Sequence, residues 1–199
     1  VARLAWPFAL LSVLAVIYQR LGVLMLSTLA TDAQAGWYAA AMRIIEPLKM
    51  LHFAVLGALL PALSHLAAPI NRQQHLLATS LFRRSLLFLL IFSLFAGCVI
   101  VVLAQPIVML LFGATYAPAV EVVQLLAVSV LPYTISASLS LRLVTQGRER
   151  RVLGATMLSV IVAFLLNRGL IPAAGPNGAA LAVIGSESFL ALMMLVLRH

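Results

Sequence analysis

The stretch SLLFLLIFSLFAGCVIVVLA, Ser85–Ala104, is twenty residues long and contains no charged side chain. At about 1.5 Å of rise per residue, a helix of this length spans the hydrocarbon core of a bilayer, which is about 30 Å thick. Apolar runs of similar length recur to the end of the chain, of which 64% is hydrophobic and 9% is charged. Soluble domains contain roughly 45–50% apolar residues, so the sequence predicts an all-α integral membrane protein.

Six apolar segments separated by short links predict a six-helix transmembrane bundle. Gly and Pro punctuate the links, and both residues end helices, Gly through backbone freedom and Pro through its missing N–H. We also expect a short outer-face helix within 106–118 and an amphipathic helix on the cytoplasmic surface within 70–82. The spans are predicted at about 5–29, 38–64, 84–104, 119–145, 153–171 and 178–197.

Basic residues of the links fall on one side of this six-span topology. Cytoplasmic loops of membrane proteins retain Lys and Arg, so both termini of this multi-pass protein are predicted to be cytoplasmic. The same asymmetry accounts for the net charge of +8, and no nucleic acid partner is expected. The basic residues on this side are Arg3, Arg72, Arg83, Arg84, Arg148, Arg150, Arg151 and Arg198.

Charged residues also occur inside the predicted spans, where each costs about 2.5–3.5 kcal/mol at mid-bilayer. Arg20 lies in the first span, Arg43, Glu46 and Lys49 in the second, and Glu187 in the sixth. The first two spans form an antiparallel hairpin, so we expect Arg20 and Glu46 to lie at similar depth as neighbours.

Two interpretations of the five charges remain open. They could pair with one another and fix the packing of the helices, or they could line a polar cavity for a charged substrate. Three of the five are cationic, so pairing would leave a positive surplus, which suits an anionic ligand such as phosphate. We therefore favour the cavity.

The sequence contains no motif that would indicate an enzyme or a cofactor. Cys98 is the only cysteine, which excludes an internal disulfide or a cysteine zinc site within this chain. Gly-rich phosphate loops, HExxH and GxSxG are absent. A membrane-embedded transferase and a purely structural membrane partner remain as rival hypotheses, and neither a metal nor a cofactor is expected.

Three stretches resemble the C-terminal lobe of bacterial polysaccharide transporters. They are GWYAAAMRIIEPLKMLHFAVLGALLPALSHL (36–66), VMLLFGATYAPAVEVVQLLA (108–127) and NRGLIPAAGPNGAALAVIGSE (167–187). The order and spacing of the three are similar to those of O-antigen and related lipid-linked oligosaccharide flippases. That family lies in the superfamily that includes multidrug and toxin exporters and lipid II flippases.

The resemblance implies a transporter of two six-helix lobes, with twelve to fourteen helices around a central cationic cavity. Residues 1–199 would be the C-terminal lobe, and because the chain begins at Val1, we expect a fragment whose N-terminal lobe is missing. The implied function is flipping of an undecaprenyl-pyrophosphate-linked oligosaccharide across the bacterial cytoplasmic membrane for O-antigen or lipopolysaccharide synthesis. A lipid II flippase and a drug or cation exporter on the same scaffold are the alternatives.

The resemblance also implies roles for individual residues. Arg20, Arg43 and Lys49 would contact the head group and Gln19 its sugar hydroxyls, while Glu46 and Glu187 would support the cations or couple an ion. Many members of the family carry an Asp shortly after the Arg of the first helix, where this chain has Gly22. The expected partners are the lipid-linked oligosaccharide, membrane lipid, the missing lobe and a polysaccharide polymerase.

Overall fold

The computed structural model describes residues 2–65 and 72–198 of the chain, and its described part is helical with no strand. Side chains are described from residue 10 onward, apart from 59–60, 62–65, 72–75 and 78. The five helices are α1 (Ala2–Leu29), α2 (Asp32–His65), α3 (Arg72–Phe112), α4 (Ala119–Thr145) and α5 (Glu149–Leu197), with a short 3₁₀ turn at Ala114–Tyr116.

Four of these helices are long and apolar enough to cross a membrane over their described residues. They contain the segments Leu10–Leu29, Thr79–Phe112, Ala119–Thr145 and Glu149–Leu197. Their outer faces carry large apolar side chains that are mostly exposed, such as Val102 and Leu110. Contiguous exposed apolar surface of this kind marks a face that contacts lipid or another protein.

Helix α4 lies at the centre of the bundle and packs against α2, α3 and α5. One buried apolar cluster contains Leu26, Ile45, Val122 and Ala179, and a second contains Phe82, Leu139, Leu143 and Met194. The segment 119–145 was predicted with the same bounds that α4 has in the structure. Short apolar and small side chains on α4 allow the neighbouring helices to approach it closely.

The last two predicted spans both lie within the element α5, on either side of a break in its helical backbone. Gly175 interrupts this helix with φ 55° and ψ −130°, between Pro172 and Pro176. A Cβ on Gly178 would collide with the backbone carbonyl of Leu170, and one on Gly185 would lie 2.9 Å from Leu166 Cδ1. Residues 19 positions apart would be about 28 Å apart in a straight helix, so the chain doubles back at Gly175. Among the described residues, five helical elements are therefore found where six helices were predicted, and α5 itself comprises two helical segments that meet at Gly175. The predicted link at 171–178 is helical apart from this break.

Two other boundaries differ from the prediction. Helix α2 begins at Asp32, within the link expected at 31–37. Helix α3 continues through Pro106 to Phe112, so the short outer helix predicted within 106–118 does not begin at Pro106, and the separate helical element of that segment is the 3₁₀ turn Ala114–Tyr116. Ala104 and Val108 are fully buried on either side of Pro106, and their packing outweighs the one backbone hydrogen bond that proline removes. The helix predicted within 70–82 falls partly outside the described residues; from Arg72 onward its backbone belongs to α3.

Candidate binding cavity

A cavity of about 400 Å³ lies between α1, α2, α4 and α5. Pockets for small ligands and cofactors commonly measure about 300–1,000 Å³. Charged, polar and apolar side chains all contribute to its wall, which is therefore able to bind an amphipathic molecule. The lining residues are Tyr18, Gln19, Arg20, Gly22, Tyr38, Met42, Glu46, Lys49, Met50, Phe53, Tyr133, Ala163, Asn167, Val183, Ser186 and Glu187.

The α1–α2 connection is short and is fixed by a reciprocal cap. The backbone N–H of Gln34 donates to Thr31 Oγ1 over 3.3 Å, and the backbone N–H of Thr31 donates to Gln34 Oε1 over 3.2 Å. This arrangement is a capping box, which satisfies donors at the start of α2. The same glutamine packs against the break in α5, since a Cβ on Gly175 would lie 3.0 Å from Gln34 Nε2.

Arg20 of α1 and Glu46 of α2 form an ion pair, which confirms that these residues are neighbours. Arg20 Nη1 donates to Glu46 Oε1 over 3.4 Å. The two side chains are 59% and 34% exposed, so the pair lies at the open side of the cavity. A guanidinium has five N–H donors, and the hydrogen bond to Glu46 leaves others able to face a ligand.

Lys49 of α2 and Glu187 of α5 form a second, more deeply placed pair. Lys49 Nζ lies 3.8 Å from Glu187 Oε1, and the two side chains are 17% and 5% exposed. Lys49 Nζ also lies 4.8 Å from the centroid of the Tyr133 ring, within the range of a cation–π contact. Ser136 donates to the other carboxylate oxygen of Glu187 over 3.3 Å.

Uncharged polar groups complete the wall next to Glu187. Tyr18 donates to Ser186 Oγ over 3.0 Å, which joins α1 to α5. Asn167 is buried, and its Nδ2 donates to the Ala163 carbonyl over 2.7 Å. Its Oδ1 is also buried and has no hydrogen-bond partner among the described residues.

Gly22 provides the space that the buried Tyr38 side chain occupies. A Cβ at position 22 would lie 2.7 Å from Tyr38 Oη, and Tyr38 is 1% exposed. A carboxylate at this position would therefore collide with the tyrosine. Where many members of the resembling family have an Asp, this chain has Gly22, and the Tyr38 side chain occupies the adjacent space.

His52, which was predicted to be structural, is buried and does not line the cavity. Its Nδ1 donates to the Leu48 carbonyl over 2.7 Å, and its Nε2 lies 2.6 Å from Ser93 Oγ. Ser93 Oγ lies 2.7 Å from Thr134 Oγ1, so this network joins α2, α3 and α4. The His52 ring also packs edge-on against Tyr133 and so helps to fix the ring that Lys49 contacts.

Five of the six predicted site residues line the cavity, and Arg43 does not. The cavity-facing side of α2 runs through Met42, Glu46, Lys49 and Phe53, which places exposed Arg43 at the margin of that face. The lining therefore contains two cations and two carboxylates, each cation paired. The expected positive surplus inside the cavity is wrong, because Arg43 was assigned to the same face as Glu46 and Met50.

Sequence reasoning missed Tyr18, Tyr133 and Ser186 as cavity residues. Tyr18 and Ser186 each adjoin a predicted site residue in sequence, Gln19 and Glu187, and polar neighbours inside a span are a usable signal. Tyr133 is brought to Lys49 by the packing of α4, which no local pattern reveals. Among the described residues, no group of three or more His, Cys, Asp or Glu side chains could hold a metal ion.

The family model described as lipid II flippase MurJ matches residues 2–199, and no curated protein matches the chain. The match supports the lipid II flippase alternative over the O-antigen flippase of the main prediction. Members of this family are membrane transporters and not enzymes, which agrees with a multi-pass protein of the inner membrane.

Proposed function

Because the chain belongs to the lipid II flippase MurJ family, we propose that it forms the C-terminal lobe of a flippase for lipid II. Lipid II is a lipid-linked precursor of peptidoglycan, and the flippase would move it across the cytoplasmic membrane. The observation that carries the proposal is the cavity of about 400 Å³ that presents Arg20 and Lys49 between membrane helices. An N-terminal lobe would complete the pathway, with alternating access arising from movement of one lobe against the other.

The charged part of the head group would bind where Arg20 and Lys49 face the cavity. Arg20 offers a planar set of donors that matches a phosphate oxygen pair, and Lys49 supplies a compact positive charge. Glu46 would hold the Arg20 side chain in place through the 3.4 Å contact. Gln19, which lines the cavity, would meet the hydroxyl and amide groups of the sugar portion.

The lipid tail would leave the cavity beside Met50 and Phe53. Both residues line the cavity, yet their side chains are 71% and 73% exposed. An apolar and open edge next to Lys49 suits a molecule whose head is polar and whose tail stays among acyl chains. Shielding the head while the tail remains in the bilayer is the physical task of a flippase.

Arg43 would act at the edge of this cavity and not inside it. Its side chain is exposed at the margin of the lining face of α2. From there it could contact the outer part of the head group or the facing surface of the second lobe. A cation exporter is less well supported, because the family model that matches the chain is that of a lipid II flippase.

Binding of lipid II to the purified chain in lipid nanodiscs tests the proposal. We expect lipid II to bind in preference to undecaprenyl monophosphate and to a lipid-linked O-antigen unit. Arg20→Ala should weaken lipid II binding about tenfold, the loss typical of a charge-assisted contact. Arg84→Ala is the matched control, because Arg84 is also exposed but lies outside the cavity. Equal lipid II affinity of the two variants would refute the assignment of the head-group site.

A further inference from the structure

The Lys49 ammonium is held loosely between two partners. Its 3.8 Å separation from Glu187 Oε1 exceeds the roughly 2.7–2.9 Å of a charge-assisted hydrogen bond. Its other contact is the face of the Tyr133 ring. Since the side chain lines the cavity and is 17% exposed, the ammonium can reach an anion there by rotation of its flexible stem.

Glu187 is far more constrained than Lys49. Its side chain is 5% exposed, and it receives one neutral hydrogen bond, from Ser136. Among the described residues, Lys49 is the cation paired with Glu187, and its removal would leave a buried carboxylate with the Ser136 hydroxyl as donor, which is strongly unfavourable. A carboxylate in this position relieves the cost by binding a proton.

We propose that Lys49 is exchanged between Glu187 and the phosphate of the bound head group, and that Glu187 takes up one proton when Lys49 leaves. This inference rests on the proposed function, because it requires an anion in the cavity. The proton is taken from the acid form of the solution buffer, by way of the open cavity, and forms one O–H bond on the carboxyl group, while the conjugate base of the buffer stays in solution. When the anion departs, Lys49 returns to Glu187 and the proton is released, so charge and protons balance over the cycle.

The other groups that face Glu187 do not replace Lys49. Tyr18 from α1 donates its hydroxyl to Ser186, and Tyr133 from α4 presents its ring to Lys49. The remaining charged groups of the cavity are Arg20 and Glu46, which pair with each other at the open side. Among the described residues, Lys49 is thus the cation that neutralises Glu187, and the exchange links anion binding to one site of protonation.

Calorimetry with inorganic pyrophosphate as the probe tests the exchange in the purified full chain. Titrations in two buffers with different ionisation enthalpies report the number of protons taken up on binding. We expect about one proton per pyrophosphate in the unmodified chain near neutral pH, and tighter binding as the pH falls. In E187Q the proton uptake should disappear and pyrophosphate should bind about tenfold more tightly, because Lys49 no longer has a competing partner.

Glu46→Gln is the matched control, since it removes the carboxylate of the other pair and should keep the proton uptake. Infrared difference spectroscopy gives a second readout that does not depend on affinity. Pyrophosphate should produce the C=O stretch of a protonated carboxyl in the unmodified chain and in E46Q, but not in E187Q. A structural role of Glu187 alone predicts weaker binding in E187Q and no such band in any variant.

The outcomes separate this inference from the proposed function. Pyrophosphate binding without proton uptake overturns the exchange and leaves the lipid II proposal standing. Proton-linked pyrophosphate binding without any preference for lipid II overturns the substrate assignment and supports the exchange. Failure of both pyrophosphate and lipid II to bind overturns both.

Discussion

Arg20 Nη1 lies 3.4 Å from Glu46 Oε1, and this contact joins α1 to α2 at the open side of the cavity. The pair is a surface-like ion pair, since more than half of the Arg20 side chain and a third of Glu46 are exposed. Such pairs contribute little to stability, typically about 0–1 kcal/mol. Its importance therefore lies in how it orients the guanidinium toward the cavity.

Replacing Glu46 by Gln should test this orienting role. The free energy of unfolding should fall by about 0.5 kcal/mol or less, because the pair is largely solvated. Anion affinity should fall about twofold, because the carboxylate that orients the Arg20 guanidinium toward the cavity is lost. Thermal unfolding in detergent and pyrophosphate titration measure the two effects. A loss of stability of several kcal/mol would show instead that the pair fixes the helix packing.

Gly22→Ala should destabilise the protein by about 1–3 kcal/mol, as overpacking of a filled interior does. The new methyl group would lie 2.7 Å from the hydroxyl oxygen of Tyr38, whose side chain is buried and has little room to move. Combining Gly22→Ala with Tyr38→Phe removes the clashing oxygen and should recover part of the loss. Thermal unfolding of the two single variants and the double variant gives the coupling free energy between positions 22 and 38. Simple additivity would contradict the close contact.

Gly178→Ala should prevent the normal fold of α5, because the added Cβ would collide with the Leu170 backbone. Backbone atoms cannot move aside as a flexible side chain can, so we expect a loss above about 4 kcal/mol or failure to fold. Gly169→Ala lies in the same helix with no atom within 4 Å of the added Cβ, and it should be neutral or stabilise by about 0.4–1 kcal/mol. Yield of monodisperse protein and thermal unfolding distinguish the two; similar behaviour would contradict the reversal of α5 at Gly175.

Ser93→Ala should cost about 1–3 kcal/mol, since it leaves the buried His52 Nε2 without its 2.6 Å partner. Ser80→Ala is the control, because that hydroxyl is exposed and bonds to the backbone of its own helix. Thermal unfolding measures the loss of stability in both variants. A distance-sensitive probe at Tyr133 reports whether its ring shifts. An effect no larger than that of Ser80→Ala would exclude the network as a tie between α2, α3 and α4.

Some features of this structure can be predicted from short stretches of sequence, and others cannot. The bounds of α4 follow from an apolar run enclosed by Pro118 and the turn at Gly147, which has a positive φ of 72°. The Arg20–Glu46 contact can be predicted because the two residues lie at similar distances along the chain from the link between α1 and α2. A short link between antiparallel helices fixes which of their residues meet. Both inferences use information that lies within a few tens of residues.

The remaining features depend on contacts between distant segments. Lys49 and Glu187 lie 138 positions apart, and their meeting depends on the rotation of α2 against α5. The same rotation about the axis of α2 places Arg43 at the edge of the cavity-facing side. A helical wheel gives the angles between residues of one helix, but it does not give the angle at which that helix faces its neighbours. The passage of α3 through Pro106 likewise depends on burial of Ala104 and Val108 against neighbouring helices.

The side chain of Gln34 has a mechanical consequence for this bundle. It closes the capping box at the start of α2 and at the same time lies against Gly175 in α5. Separating α2 from α5 at this end would remove the Gln34 cap from the first turn of α2 and would expose the break at Gly175 in α5. We therefore expect α2 and α5 to stay together at this end of the bundle. Any separation between the two helices should then be greatest at the opposite end.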